Sequence, residues 1–275
     1  MGFKLLWIMI ILAFPVLGLS LYLMAGRSDI TKRMRIRLEK IDADLEHWLK
    51  QDEIVLEKLR NEDVSVANQM DYISQYARFP VYENTDVKFY KDAAEGFDEQ
   101  LRELEKAEKF IIIEYHAIED AISFGRMKRI LAEKAAGGVD VRVLYDDIGS
   151  IGFVDSKFVK RMEALGIKCR VFNPLVPFLN IFMNNRDHRK ITVIDGKVGF
   201  TGGYNLADKY FNLEHPYGHW KDTGIKLTGE AVRNLTFMFL EMWNAMSNRP
   251  LEDTNSFFPE ITYAAKEKCY IQPYA

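Results

Sequence analysis

The chain has 275 residues, 48% of them hydrophobic and 28% charged, which excludes a disordered polymer and leaves room for a sizeable folded core. A formal net charge of −3 excludes a global basic field for holding nucleic acid. Two cysteines, Cys169 and Cys269, exclude a disulfide framework and read as buried thiols in a reducing compartment.

The first predicted element is apolar. Leu5–Ala25 carries no charged residue, and at about 1.5 Å rise per residue such a helix matches the roughly 30 Å hydrocarbon core of a bilayer. Residues 1–27 are therefore expected to form a transmembrane anchor, tolerating Pro15 and Gly18, with Trp7 and Tyr22 near its two ends. Arg27, Lys32, Arg33, Arg35 and Arg37 follow where a secretory signal would carry a small-residue cleavage site. The positive-inside rule places the remainder of the chain in the cytoplasm, with the anchor in a bacterial plasma membrane. Residues 28–78 read as a juxtamembrane helical linker: Ile36, Leu38, Ile41, Leu45, Trp48 and Leu49 recur at roughly helical spacing behind a basic start suited to anionic lipid. Phe79-Pro80 breaks the pattern and opens a domain over 79–275.

From there an α/β rhythm runs. A helix is predicted over 98–109. Phe110–Tyr115 is a near-continuous apolar run, the mark of a strand covered on both faces. A helix over 123–136 closes at Gly137-Gly138, a strand covers 139–145, a helix 157–165 and a strand 167–172. After a Pro- and Asn-containing loop over 173–186 comes a strand ending in a hairpin at Asp195-Gly196, with a return strand over 197–201. A strand over 218–227 and a long apolar-striped helix over 230–248 follow. Tyr270–Ala275 reads as the start of another strand. The order predicts an α/β fold with a mostly parallel or mixed sheet and helices on both faces.

The chemistry concentrates in DHRKITVIDGKVGFTGGYN, residues 187–205. Side chains on a strand alternate with period 2, so His188, Lys190 and Thr192 share one face, and Arg189, Ile191 and Val193 the other. His188-x-Lys190-x4-Asp195, followed by Gly202-Gly203-x-Asn205, resembles the HxKx4Dx6GSxN signature of the phospholipase D superfamily. With FIIIEYHAIED, VRVLYDDIGS, GHWKDTGIKLTGEAV and FLEMWN, the whole chain resembles the N-terminal half of bacterial cardiolipin synthases.

The resemblance implies a phospholipase D-like layered fold and phosphatidyl transfer without metal or cofactor. Two phosphatidylglycerol molecules would give cardiolipin and glycerol through a phosphohistidine. It implies that His188 is the nucleophile or its partner acid, and that Lys190 and Asn205 hold the phosphate over the Gly202-Gly203 turn. Asp195 would brace the hairpin. Asp222 would orient the histidine, and Glu114 would lie close to the site. Its implied partners are phosphatidylglycerol, an anionic membrane and a second HxKx4D motif, with no nucleic acid.

Other residues carry weaker signals. His116 reads as an ordinary strand-end residue and Asp146-Asp147 as a polar loop cap rather than a metal site. His215 and His219 have ligand-like spacing, but Pro216 argues against a shared helical face. Val176, Phe178, Leu179, Ile181, Phe182 and Met183 could meet lipid or be core.

Two departures from the pattern stand out. Gly203 replaces the usual Ser, and only one HxKx4D motif is present. Three readings follow: a first half whose second motif lies in the remainder of a longer chain, a homodimeric single-motif phosphodiesterase or nuclease, or an inactive truncated half.

Overall fold

The computed structural model describes residues 2–23, 32–174, 186–247 and 254–275. A seven-stranded sheet organises it: β1 Thr85–Tyr90, β2 Phe110–Tyr115, β3 Asp140–Asp146, β4 Lys168–Phe172, β5 Lys190–Ile194, β6 Val198–Gly202 and β7 Gly224–Gly229. The spatial order is β1-β7-β6-β5-β2-β3-β4. β2, β3 and β4 run parallel. Every other neighbouring pair is antiparallel. The sheet is thus mixed. Helical crossovers force the parallel half, α7 (Ile122–Ala136) after β2 and α8 (Phe158–Ala164) after β3. The three-residue turn Asp195–Lys197, with φ of 52° at Asp195 and 67° at Gly196, makes β5 and β6 an antiparallel hairpin.

Strand alternation sends side chains into two cores. Ile111, Ile113 and Tyr115 of β2 face one core, closed by α7, α8 and α6 (Ala93–Leu104). Phe110 and Ile112 face the other, where α9 (Val232–Ala245) supplies Leu235, Phe239 and Trp243, and α3 (Lys32–Leu45) supplies Ile41 and Leu45. With apolar residues on both faces, the central strands read in sequence as unbroken hydrophobic runs. The expected layering, helices on both sides of the sheet, is observed.

Several elements differ from expectation. The helix expected over 98–109 begins at Ala93, because the Asp92 carboxylate accepts from the Ala94 amide and caps it. The polar stretch after residue 60 contains α5 (Val64–Ala77), capped by Asp63 through the Ser65 and Val66 amides. The linker helix is two pieces, α3 and α4 (Glu53–Glu62), the latter started by Asp52. β1 was not expected, and pairs at the sheet edge with β7. The strand start expected at 270–275 is a single bridge between Tyr82 and Ile271. Cys169 is buried and Cys269 half-buried, both as free thiols.

The largest correction concerns the N-terminus. The expected transmembrane helix is broken into α1 (Gly2–Ala13) and α2 (Pro15–Leu21), and no helix among the described residues is long and apolar enough to cross a membrane. Pro15 causes the break. Its ring disfavours the helical conformation at the residue before it, and Phe14 sits at φ −136°, ψ 77°. The apolar loop residues 176–183 lie outside the described residues.

Candidate active site

The expected motif residues converge at one end of the sheet, where β2 and β3 finish, β5 begins, and β6 and β7 meet at Gly202 and Gly224. Lys190 opens β5 opposite Tyr115 and is buried, while His188 precedes it on the exposed rim. The Lys190 Nζ lies 3.1 Å from His188 Nδ1 and donates to the His188 carbonyl at 2.7 Å. Burial lowers the His188 pKa, and the Lys190 and His116 charges act in the same direction, so the neutral ring is favoured. Burial also lowers the Lys190 pKa, against the opposing carboxylates of Asp187 and Asp222. His188 and Lys190 both line a cavity of about 330 Å³, together with Ile191, Thr201, Leu235, Met238, the Gly202-Gly203 pair and the segment 273–275.

A buried polar network supports this pair from below. Gln100, on α6, donates to the Thr192 hydroxyl at 2.6 Å and to Tyr115 Oη at 3.1 Å, and accepts from Tyr204 Oη at 3.2 Å. Thr192 shares the face of Lys190, so the network fixes the strand beneath the ammonium. It also fixes Tyr204, the neighbour of Asn205.

Arg189 points to the opposite face, as alternation requires, and meets Glu114 at 2.8 Å and Asp187 at 3.3 Å. Glu114 is fully buried, and burial pushes its carboxyl well above the usual range while Arg189 pulls it down. Glu114 is therefore close to the motif strand, but through Arg189 and on the other side from Lys190 and Thr192. Asp146, also fully buried, accepts from the Asp187 amide at 2.9 Å and from Arg186 at 3.2 Å. It ties the end of β3 to the residue before His188.

Asp195 lies at the far end of the hairpin. Its carboxylate accepts from the Glu108, Lys109 and Phe110 amides at 2.8–2.9 Å, which fastens the turn to the start of β2. Asn205 is buried, with its carbonyl oxygen accepting from the Ala117 amide at 3.0 Å and its amide donating to Tyr210 Oη at 3.1 Å. Asp222, expected to orient the histidine, instead accepts from the Thr223 amide at 2.8 Å and the Trp220 indole at 3.4 Å, and acts on Lys190 through its charge. Both precede β7 in coil rather than lying in the strand expected there.

The Gly-Gly pair has a steric reason. A Cβ on Gly203 would lie 2.1 Å from Asp222 Oδ1, and one on Gly202 would lie 2.5 Å from the Thr223 carbonyl oxygen. The carboxylate of Asp222 occupies the space that a serine at 203 would need.

Sequence reasoning passed over His116. Its ring lies 4.8 Å from that of His188, and its Nδ1 is 2.7 Å from the Asp187 carbonyl oxygen. A carbonyl only accepts, so Nδ1 carries the proton in that bond. The signal available in sequence was its position, at the end of a strand that pairs with the motif strand. No group of three or more His, Cys, Asp or Glu side chains that could hold a metal occurs among the described residues.

Sequence comparison with known proteins points to one family. Residues 101–243 match the family model described as "Cardiolipin synthase, PLD-like domain", just over half of the chain. The chain belongs to this family. Residues 1–27 match a second model, "Phospholipase_D-nuclease N-terminal". An uncharacterized protein of Streptococcus mutans is 38% identical over 98% of this chain and 58% of its own length. Proteins named cardiolipin synthase from Staphylococcus aureus Mu50 and cardiolipin synthase 2 from Staphylococcus epidermidis ATCC 35984 are 31% and 32% identical over 93% of this chain. The alignments cover 53% and 54% of those two proteins, so the chain spans about half the length of the curated relatives it matches.

Proposed function

We propose that this chain carries the first half of a phosphatidyltransferase site of the cardiolipin synthase type, working at a bacterial plasma membrane. The observation that carries the reading is the pairing of a neutral-favoured His188 with a buried Lys190 in the lining of a largely apolar cavity. A phosphodiester repels nucleophiles, so a site acting without metal needs a fixed cation beside an uncharged nucleophile.

On substrate binding, Lys190 passes from the His188 ring to a non-bridging oxygen of phosphatidylglycerol. There it stabilises charge that grows in the transition state. The His188 lone pair attacks phosphorus; a P–N bond forms, the P–O bond to glycerol breaks, and the leaving oxygen takes a proton from an acid. The hydroxyl of a second phosphatidylglycerol then attacks. It loses its proton to the same group, now a base, while the P–N bond breaks and releases cardiolipin. That acid is assigned to a second HxKx4D motif, in the remaining half of a longer chain or in a second copy. Asn205 has one amide hydrogen committed to Tyr210, and the other is assigned to the phosphate. Asp195 holds the hairpin, Asp222 balances Lys190, and Glu114 acts through Arg189.

Product analysis tests the proposal. Purified protein in detergent with labelled phosphatidylglycerol is expected to give cardiolipin and glycerol, both lost in His188→Ala. Phosphatidic acid without cardiolipin would replace transfer by hydrolysis. Cleavage of DNA without any lipid product would favour the homodimeric nuclease. No turnover at all would mean that these 275 residues need the second half.

A further inference from the structure

Beyond Asn205 the chain makes the short helical turn Asp208–Phe211 and then a loop that returns to Trp220. Asn212 closes the loop at its base: its amide donates to the Trp220 carbonyl at 2.9 Å, and its Oδ1 accepts from the Trp220 amide at 2.7 Å. At the tip the Gly218 amide donates to the His215 carbonyl at 3.3 Å, with φ of 84° at the glycine. This tight turn has Pro216 and Tyr217 at its centre. Every residue from Leu213 to His219 is exposed.

A chain of contacts ties this loop to the reacting pair. The Asn205 amide donates to Tyr210 Oη, the Tyr210 ring meets Trp220 edge-on at 4.8 Å, and the Trp220 indole reaches Asp222, whose charge acts on Lys190. Around the loop the fold leaves large apolar side chains in water: Tyr217 is 76% exposed, Ile122 66%, Ile151 62% and Leu213 49%. Ile122 is held beside the turn because its amide donates to the Asp208 carboxylate at 3.1 Å. Ile151 belongs to the neighbouring loop, which supplies Phe153. Lys209 stands between the two loops, its Nζ 5.1, 5.5 and 5.8 Å from the ring centroids of Phe153, Tyr210 and Tyr217.

The mixture of side chains selects the occupant. The core of a protein interface is depleted in lysine; here rings, aliphatic tips and ammonium groups are interleaved. A bilayer's headgroup layer favours that mixture, because Tyr and Trp keep a ring in the apolar layer and a polar tip in water. A lysine stem likewise lies along apolar surface while its ammonium stays with lipid phosphate. Over residues 209–221 the charges are Lys209 and Lys221 against Glu214, with His215 and His219 beside them. No carboxylate pairs with either lysine among the described residues. The nearby acids are engaged elsewhere: Asp208 accepts from the Ile122 and Ser123 amides, Glu119 from the Asp208 amide, and Asp120 is paired with Lys128 and Arg161. Asp147 stands toward β4, its amide donating to the Phe172 carbonyl at 3.2 Å.

We propose that the turn over 213–219, with Ile122 and Ile151 beside it, docks in the headgroup layer of a phospholipid bilayer and turns the His188–Lys190 end of the sheet toward the lipid surface. That the chain works at a membrane rests on the proposed function. The surface that meets the membrane goes beyond it, and the test reads that surface without any turnover.

The test uses the full chain with Cys169 and Cys269 replaced by alanine, carrying either Tyr217→Cys or Lys197→Cys labelled with a polarity-sensitive nitrobenzoxadiazole dye. Lys197 lies in the turn at the opposite end of the β5–β6 hairpin. On vesicles of phosphatidylglycerol and phosphatidylethanolamine, the dye at 217 is expected to brighten severalfold, shift to the blue and be quenched by a lipid spin-labelled near the top of its acyl chain. The dye at 197 is expected to stay unchanged. Flotation with the vesicles and no change at 217 would overturn the proposal in favour of a protein partner on this face, leaving the proposed function standing. Equal brightening at both positions would overturn it as unspecific adsorption, and failure to float would overturn the membrane reading in both. The dye response with no lipid product would uphold the docking surface and count against the function alone. Ile151→Ser with Leu213→Ser, added to the Tyr217→Cys chain, changes only exposed side chains, so its melting curve should match the parent and its brightening should fall. Brightening equal to the parent would overturn the role given to those two residues.

Discussion

The two ends of the β5–β6 hairpin carry the same motif and do different work. At the open end, Lys190 is buried beside an imidazole, with burial lowering the pKa of both groups. At the turn, Asp195 receives three backbone amides and sits where the chain must adopt positive φ. One end holds a buried ammonium against an imidazole, with the Asp187 and Asp222 carboxylates opposing the cost of burying that charge. The other end is fully satisfied without any ligand. A single sequence signature therefore joins a chemical half to a mechanical half, and the two should separate under mutation.

The largest expected effect breaks that comparison directly. Lys190→Met removes the charge meant for phosphate and should lower phosphatidyl transfer by at least about a thousandfold, the scale of losing a main electrostatic stabiliser. Its melting temperature should hold or rise, because a buried ammonium is exchanged for an apolar chain of similar length. Asp195→Ala should do the reverse. Losing three charge-assisted acceptor bonds, partly replaced by water at the exposed Glu108 and Lys109 amides, should cost about 2–4 kcal/mol. Activity per folded molecule should change little. Thermal melts and transfer assays on both variants check the contrast; equal losses of activity in both would abolish it.

The second test sharpens the comparison across the sheet rather than along it. Arg189 neighbours the site yet points away from Lys190, into contact with Glu114 and Asp187. Arg189→Met leaves the Glu114 carboxylate buried without its cation and should destabilise by roughly 3–5 kcal/mol. Adding Glu114→Leu should restore part of that loss, because one of the two buried carboxyls that Arg189 partners is gone while Asp187 remains. A double-mutant cycle by denaturant unfolding measures the coupling. If the double variant is as unstable as the single one, the pair does not act as a unit.

What was legible in sequence follows the same division. Period-2 alternation placed His188, Lys190 and Thr192 together and Arg189 opposite, because that geometry is set by the backbone alone. Asp195-Gly196 was legible as a turn for the same reason. Contacts made across the chain were not. Glu114 was expected near the site, but its partner and its face depended on β5 pairing antiparallel to β2, which no local pattern encodes. Asp222 was expected beside His188 and lies by Lys190, because Gly203 lets its carboxylate into the space that a Cβ would fill. His116 carried no motif of its own; only the pairing of Tyr115 with Lys190 brings it to His188. The N-terminus failed differently. Hydropathy counts apolar residues and is blind to direction, so Pro15 read as a tolerable interruption where it divides α1 from α2.

The smallest expected effect lies at the end of the Arg189 chain, where α3 meets α9. Arg189 also approaches Glu241 at 3.9 Å, and Glu241 lies against Asp42 of α3. Burial, with the Asp42 charge beside it, raises the Glu241 pKa to about 7, and burial raises that of Asp42 too. The two carboxyls titrate as a pair. Because the folded pKa lies above the unfolded one, the folded state holds the proton more tightly. Stability from this group is full below about pH 4.5 and is lost as the pH rises through 7, by up to about 3 kcal/mol. Glu241→Gln removes that titration and keeps the shape. The variant should match the parent near pH 4.5 and exceed it at pH 8, with a flatter profile between. Unfolding midpoints across this range check the sign. A variant less stable than the parent at pH 8 would mean that Glu241 serves there as the partner of Arg189, and that the acidic pair is held together by that cation rather than by a shared proton.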